Sequence, residues 1–157
     1  MTTSRTVESV DELRTLVGQE LGVGPWFEVT QERINDFADV TGDHQFIHVD
    51  PERAARTPFG TTVAHGFLTL SLLPMLGGER EGIKVDLHPK MVVNYGLNRL
   101  RFVSPVKAGA RIRLRTTLQA VDDISPDVVQ VTNLQTIEIE GGDRPALVAE
   151  MLARYYL

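Results

Sequence analysis

Residues 67–76, FLTLSLLPML, form an unusually apolar segment of this chain. Seven of these ten residues are large and apolar, and on a helix they would point in every direction. Such a helix has to be enclosed, and it is too short to cross a bilayer, which takes about 20 apolar residues. Pro74 and the pair Gly77-Gly78 predict that the helix kinks or ends near that point. The segment therefore predicts a helix buried within the protein.

Four long strands are predicted after this helix, because the apolar pattern changes to alternation and Pro and Gly turns separate the runs. A short strand over Trp26–Val29 is predicted before it. These strands can curl around one buried helix, which predicts an α+β fold with an antiparallel sheet wrapped around a central apolar helix. We see no internal repeat or linker, so we expect a single domain over residues 1–157. The long strands are predicted at 90–102, 111–121, 128–139 and 146–155.

Helix caps divide the first third of the chain. Ser9 with Glu12 three residues later is a capping box that predicts a short first helix. Thr30 can cap a second helix, which Gly42 should end. Asp50 can cap a third helix, and the segment between Gly42 and Asp50 is expected to be a loop.

Composition excludes several classes of function. The chain has no cysteine, which excludes thiol catalysis, disulfides and thiolate metal sites and is compatible with a reducing compartment. A net charge of -5 argues against a general nucleic-acid binder, whose surface would be basic. The first residues, MTTSRTVESVDEL, lack an apolar core of the signal-peptide type, and no later segment is long enough to span a membrane. We therefore expect a cytoplasmic protein without a membrane span.

A carboxylate and an imidazole precede the buried helix on one short segment, at Asp43 and His48. Side chains of these two types can share one water molecule, one taking a proton while the other gives one, which is the chemistry of adding or removing water. The pattern does not say which residue is the acid and which the base. Gly66 lies at the start of the helix, where backbone N–H groups are unpaired and can polarise a carbonyl oxygen.

These residues carry a family resemblance. The stretch FADVTGDHQFIH over 37–48, with Ala54 and the later AHGF and GLNRLRFVSPVKAG stretches, resembles the MaoC-like, (R)-specific enoyl-CoA hydratases. The resemblance implies a hot-dog fold and reversible addition of water to a trans-2-enoyl thioester. It also implies that Asp43 and His48 hold the catalytic water and that the Gly66 N–H binds the thioester oxygen. Gln45-Phe46 stands where the family commonly has Asn-Pro, and Gln45 is given the supporting amide role.

Three other functions stay open from the sequence. A thioesterase on the same fold would use an acidic residue to direct water at the thioester carbonyl, and a silent acyl-binding protein would keep the tunnel without the chemistry. A metal site would draw its ligands from Asp43, His44, His48 and His65. We expect no metal and no cofactor, with the coenzyme A or acyl carrier protein thioester as substrate.

The basic segment between Arg99 and Val121 holds six Lys or Arg residues and no acidic residue. Its strand arginines are expected to pair with glutamates across the sheet, and Arg99, Arg101 and Lys107 are candidates to contact coenzyme A phosphates. Val92–Gly96 is less polar and can pair across a two-fold axis. The resemblance implies a homodimer, since hot-dog proteins usually associate through their sheets. The strand arginines are Arg111, Arg113 and Arg115, and their expected partners are Glu138, Glu140 or Glu150.

Overall fold

The computed structural model describes residues 5–157. The helices are short, and four of the five strands that follow residue 78 are long, as the sequence predicts. The helices are α1 Val10–Arg14, α2 Gln31–Thr41, α3 Phe46–Val49, α4 Pro51–Ala54, α5 Gly66–Ser71 and α6 Leu73–Gly78. The strands are β1 Arg5–Val7, β2 Glu20–Val23, β3 Phe27–Glu28, β4 Glu81–Val85, β5 Met91–Phe102, β6 Arg111–Ser125, β7 Val128–Ile139 and β8 Leu147–Tyr156.

One sheet joins the strands in the order β1-β4-β2-β6-β7-β8-β5, and β3 pairs separately with β6. Strands β6, β7 and β8 form an antiparallel meander, and β5 pairs antiparallel with β8 at the edge of the sheet. Bulges interrupt the register of the β5–β8 and β6–β7 pairs. The short pair β1–β4 is parallel, so the sheet is mixed and not wholly antiparallel as predicted. Strands β1, β2 and β4 were missed from the sequence because three to five residues carry little periodic signal.

Helices α5 and α6 form the central helix, which the sheet enfolds. Leu68, Leu72 and Leu76 are buried against residues of β6, β7 and β8 such as Leu114 and Ile137. The break at Leu72 lies just before Pro74, which cannot donate a backbone hydrogen bond, so the predicted kink is confirmed. The hydrophobic core on the face of the sheet that contacts α5 and α6 is therefore built on the apolar segment 67–76.

The central helix is not enclosed on every side, and here the sequence prediction was wrong. Phe67 is 66% exposed, and Ser71 and Pro74 on the same face are also exposed. This face looks toward β5, which ends the sheet and has a partner strand, β8, on one side only. Within residues 5–157 the helix thus has an apolar face that the sheet leaves open.

The predicted caps are confirmed. Ser9 accepts a hydrogen bond from the Glu12 backbone, Thr30 caps α2, and Asp50 caps α4. The expectation of a plain loop between Gly42 and Asp50 was wrong, because Phe46–Val49 forms the single helical turn α3. In residues 5–157, no helix has the length and apolar character needed to cross a membrane.

Candidate active site

Asp43 leaves the end of α2 through a left-handed glycine. Gly42 has φ 80° and closes the helix with a hydrogen bond to Ala38, a conformation that favours glycine because it has no Cβ. The Gln45 backbone N–H donates to Asp43 Oδ1 at 3.3 Å, which orients the carboxylate. The Asp43 side chain is exposed, so water reaches it. Gln45 is exposed too, and the contact it makes with Asp43 runs through its backbone.

His48 sits on α3 and is only 7% exposed. Its Nδ1 lies 2.6 Å from the carbonyl oxygen of Val63. Because a carbonyl can only accept, Nδ1 carries the proton and Nε2 keeps its lone pair. Burial lowers the pKa of the His48 imidazole and outweighs the hydrogen bond to Val63, which raises it; His65 lowers the pKa a little further and Asp43 raises it least. At neutral pH His48 is therefore a neutral imidazole whose Nε2 can accept a proton.

A second imidazole, His65, lies against the first. The two rings stack with centroids 3.8 Å apart and planes 25° apart, although 17 positions separate them in sequence. His65 precedes α5, is 3% exposed, and donates from Nε2 to the backbone oxygen of Asp43 at 2.9 Å. Its Nδ1 is buried without a hydrogen-bond partner within residues 5–157. His65 therefore ties the Asp43 loop to the start of the central helix.

The structure brings the two predicted catalytic side chains together. A carboxylate oxygen of Asp43, a ring nitrogen of His48 and a ring nitrogen of His65 lie within 4.8 Å of one another. Two polar groups at that separation can share one bridging water molecule. The same three side chains are also the candidates to hold a metal ion. His44 is not one of them, because its ring binds Asp39 at 2.8 Å on the exposed surface.

Gly66 is the first residue of α5 and forms part of a small cavity. No backbone hydrogen bond from its N–H is found within residues 5–157, so that donor is free for a ligand. The cavity has a volume of about 290 Å³ and is lined by Gly66, Thr69, Phe102 and Val106 among others. A Cβ at position 66 would lie 3.0 Å from the Phe102 ring, so only glycine leaves this ring and the N–H their present places. The sequence could not show this packing requirement.

Gln31, a residue that was not predicted from the sequence, supports the site through hydrogen bonds. Gln31 Nε2 donates to the backbone oxygen of His48 at 2.7 Å, and the hydroxyl of Thr62 donates to Gln31 Oε1. Gln31 follows the Thr30 cap, so its position in the first turn of α2 was predictable, but its partners lie 17 and 31 residues away. The bond fixes α3, and with it His48, against α2.

The basic residues divide into paired and unpaired groups. Arg113 and Arg115 both bind Glu138, and Arg111 binds Glu140, which confirms the predicted pairing across β6 and β7. The pairs also include Glu20, which binds Arg115 at 2.5 Å and was not predicted, whereas Glu150 is in no ion pair within residues 5–157. The candidates for phosphate contact are exposed and have no carboxylate within 4.0 Å among the described residues. They are Arg99, Arg101 and Lys107.

Known proteins resemble this chain in sequence and in fold. Residues 12–139 match the MaoC like domain. The chain is 50% identical over 151 residues, covering 96% of it and 98% of the relative, to 3-hydroxyacyl-thioester dehydratase Z of Mycobacterium tuberculosis. It is 47% identical to nodulation protein N of Rhizobium leguminosarum bv. viciae, covering 92% of this chain and 89% of that protein.

A solved structure also superimposes well. The (R)-hydratase from A. caviae involved in PHA biosynthesis matches with a TM-score of 0.68 and 26% identity, covering 87% of this chain and 94% of that one. The predicted hot-dog fold and the predicted enzyme class, a dehydratase, are thereby confirmed. This chain belongs to the MaoC-like dehydratase family.

Proposed function

We propose that this protein adds water reversibly across the C2–C3 double bond of a trans-2-enoyl thioester and forms the (R)-3-hydroxyacyl thioester. The observation that carries the proposal is the placement of the Asp43 carboxylate near His48, whose Nδ1 is committed to Val63. The (R) configuration is supported by the likeness to the (R)-hydratase and by the sequence resemblance. The relative named a 3-hydroxyacyl-thioester dehydratase supports the substrate class.

The pair acts on one water molecule in both directions. The Asp43 carboxylate accepts one hydrogen bond from the water, and His48 Nε2 takes its other proton as the oxygen bonds to C3. The pair then returns one proton to C2, so that water is added in full and both side chains end in their starting state. A neutral His48 suits this role, because its lowered pKa keeps Nε2 free at neutral pH.

Negative charge gathers on the thioester oxygen as C3 is attacked, and we assign its stabilisation to the Gly66 N–H. We infer that the thioester end of the substrate lies in the cavity beside Gly66 and Phe102. Gln45 is assigned a supporting contact to the bound substrate, since its side-chain amide is exposed beside Asp43.

We assign the binding of the coenzyme A phosphates to Arg99, Arg101 and Lys107, which form no ion pair among the described residues. Arg101 directly precedes Phe102, and Lys107 directly follows Val106, so both flank residues that line the cavity beside Gly66. Arg99 lies two residues before Arg101 on β5. Arginine suits phosphate oxygens because its planar fork donates two parallel hydrogen bonds. We propose coenzyme A as the carrier, with acyl carrier protein as the alternative that bears the same phosphate-linked arm.

We propose that the reaction needs no metal or other cofactor. Hydration requires a proton acceptor, a proton donor and a group that polarises the carbonyl, and Asp43, His48 and Gly66 supply all three. We propose that the enzyme is cytoplasmic, because a chain without cysteine has no disulfide bond that reducing conditions could break.

The working form is proposed to be a homodimer joined along β5. This strand is exposed along most of its length and carries Val92, Val93, Tyr95 and Leu97, each at least 38% exposed. An apolar edge strand of this kind is a template for pairing with another chain. A second copy placed there would also cover the open face of α5 at Phe67.

The function is tested with trans-2-butenoyl-CoA. We expect the conjugated absorbance to fall on mixing while a thiol reagent detects no free coenzyme A, and a stereospecific dehydrogenase to oxidise the product as the R isomer. Fast thiol release without a hydroxyacyl product would support a thioesterase instead. Loss of neither absorbance nor thioester would support an acyl-binding protein without catalysis.

A further inference from the structure

His65 is a buried titratable side chain that takes no part in the proposed hydration chemistry. It is 3% exposed and stands directly before Gly66, the first residue of α5. A polar group buried to this extent costs free energy unless hydrogen bonds compensate it. The groups assigned to the reaction belong to Asp43, His48 and Gly66. His65 contacts the first two of these residues and precedes the third in the chain.

Neither ring nitrogen of His65 is available to a substrate. Nε2 lies 2.9 Å from the backbone oxygen of Asp43, and because a carbonyl oxygen only accepts, Nε2 carries the proton. Nδ1 is buried and has no hydrogen-bond partner within residues 5–157. A ring with one nitrogen bonded to the backbone and the other shielded from solvent does not exchange protons with a substrate. His65 is therefore not a catalytic residue, and its effect on the reaction has to act through its neighbours.

His65 occupies a helix cap without capping the helix. It is the N-cap residue of α5, and its side chain makes no capping hydrogen bond. Ser, Thr, Asp and Asn are preferred at this position because their side-chain oxygens accept from the first backbone N–H groups of the helix. The chain has such residues, Ser9, Thr30 and Asp50, before α1, α2 and α4. The imidazole before α5 bonds to the Asp43 backbone instead, so it stabilises the contact between α5 and the Asp43 loop.

The bond from His65 joins Asp43 to the segment that carries Gly66. Asp43 lies on an exposed loop after α2, and its other hydrogen bond, from the Gln45 backbone at 3.3 Å, is local to that loop. No further hydrogen bond to Asp43 is found within residues 5–157. The bond from His65 links residues 22 positions apart. The distance between the Asp43 carboxylate and the Gly66 N–H therefore depends on His65.

The ring of His65 also orients the ring of His48. The two rings stack with centroids 3.8 Å apart, and the hydrogen bond from Nδ1 to Val63 holds the opposite edge of the His48 ring. The lone pair on His48 Nε2 lies in the plane of its ring, so the stack sets the direction in which Nε2 accepts a proton. Phe37 packs against the His65 ring at 4.9 Å and holds it in turn.

We propose that His65 is a positioning residue, which fixes the Asp43 carboxylate and the His48 ring relative to each other and to the Gly66 N–H. The role rests on the proposed function, since it requires those three groups to act on one substrate. They come from three separate segments, namely the loop after α2, helix α3 and helix α5. A displacement of about 1 Å in a reacting group can slow a reaction about 10²-fold, so a residue that holds all three segments affects the rate without touching the substrate.

Two substitutions separate the hydrogen bond from the packing. His65→Phe keeps an aromatic ring and removes the N–H, whereas His65→Gln keeps an N–H donor and removes the ring. We expect His65→Phe to lower kcat for trans-2-butenoyl-CoA by roughly tenfold to a hundredfold with little change in KM, because the groups that bind the substrate remain. His65→Gln should retain a higher kcat than His65→Phe. A kcat near the wild-type value in His65→Phe would overturn the proposal, and so would the absence of any gain in His65→Gln.

Phe37→Leu is the matched control, because it removes an aromatic neighbour of His65 and leaves the bond to Asp43. It should keep kcat near the wild-type value. A double-variant cycle then shows whether His65 acts through Asp43. We expect Asp43→Asn to lower kcat by a smaller factor in the His65→Phe protein than in the wild-type protein. Losses that simply multiply in the double variant would overturn the proposal.

Nitrogen-15 NMR of the imidazoles in wild-type protein tests the arrangement without turnover and without a variant that has to fold. The chain has four histidines, so each ring can be assigned. At neutral pH we expect His65 to carry its proton on Nε2 and His48 to carry its proton on Nδ1. A proton on His65 Nδ1 in place of Nε2 would overturn the proposal, because the bond to Asp43 would then be absent. The expected tautomers in a protein that hydrates no enoyl thioester would support the arrangement around His65 and contradict the proposed function alone.

Discussion

Replacing His48 by glutamine removes the proton acceptor while it keeps most of the local structure. The imidazole donates from Nδ1 to the Val63 oxygen at 2.6 Å, and a glutamine amide can donate to the same oxygen. It offers no basic nitrogen at the position of Nε2. Loss of a proton-transfer partner slows a reaction about 10²- to 10⁴-fold, which is about 2.7–5.4 kcal/mol in the barrier.

The cost to folding should be smaller than the cost to catalysis. If glutamine keeps the bond to Val63, the stability lost comes from the ring stacked on His65 and stays near 1 kcal/mol, the size of an aromatic pair. If it misses that bond, the buried Val63 oxygen is left unpaired at a further cost of about 1–3 kcal/mol. The unfolding temperature of the variant therefore shows whether the site is disrupted or only the proton acceptor is lost.

The assay is the initial rate of hydration of trans-2-butenoyl-CoA at saturating substrate. His44→Gln is the matched control, because His44 has the same chemistry, lies four residues away and binds Asp39 on the surface. We expect the control to keep its turnover and the His48 variant to lose it while it unfolds as a cooperative unit. Near wild-type turnover in the His48→Gln protein would show that His48 is not the proton acceptor, and an equal loss in both variants would contradict its assignment as well.

Four further outcomes are expected. Because the pKa of His48 lies below its ordinary value, kcat/KM should stay constant as the pH falls to 6.5 and should decrease only at lower pH. The free energy of unfolding should also decrease below pH 6.5, where the unfolded state binds a proton at His48 before the folded state does. A decrease in kcat/KM that begins above pH 6.5 would contradict this prediction. Gly66→Ala should displace the Phe102 ring and lower kcat with little change in unfolding temperature. Val93→Lys should yield monomers in sedimentation experiments, whereas wild-type protein sediments as a dimer. Extended dialysis against EDTA should leave turnover unchanged, and restoration of lost activity by a divalent metal would contradict the metal-free mechanism.

The sequence predicts the elements that carry strong local signals. The caps Ser9, Thr30 and Asp50 are visible because a side-chain acceptor stands beside a helical pattern, and all three bond as expected. The four long strands are visible because they are runs of ten or more residues between Pro and Gly turns, and three of them have a clear alternating pattern. The α3 turn was missed because four residues cannot show a helical period.

The sequence could not predict the parts of the site that depend on contacts between residues far apart in the chain. Asp43 and His48 were found because they lie five residues apart on one segment, but nothing local shows that Val63 fixes the tautomer of His48. His65 stacks on His48 only because the central helix starts beside α3. The exposed Phe67 was expected inside, since helical periodicity cannot reveal that β5 leaves one side of the helix open.

Hydration in oxygen-18-labelled water shows which carbon atom of the substrate the water attacks. The enzyme and trans-2-butenoyl-CoA are mixed in labelled water, and the products are analysed by mass spectrometry. If Asp43 and His48 direct water to C3, the label will appear in the hydroxyl group of an intact (R)-3-hydroxybutanoyl-CoA. Label in the carboxylate of a free acid, with coenzyme A released, would contradict attack at C3 and indicate thioester hydrolysis.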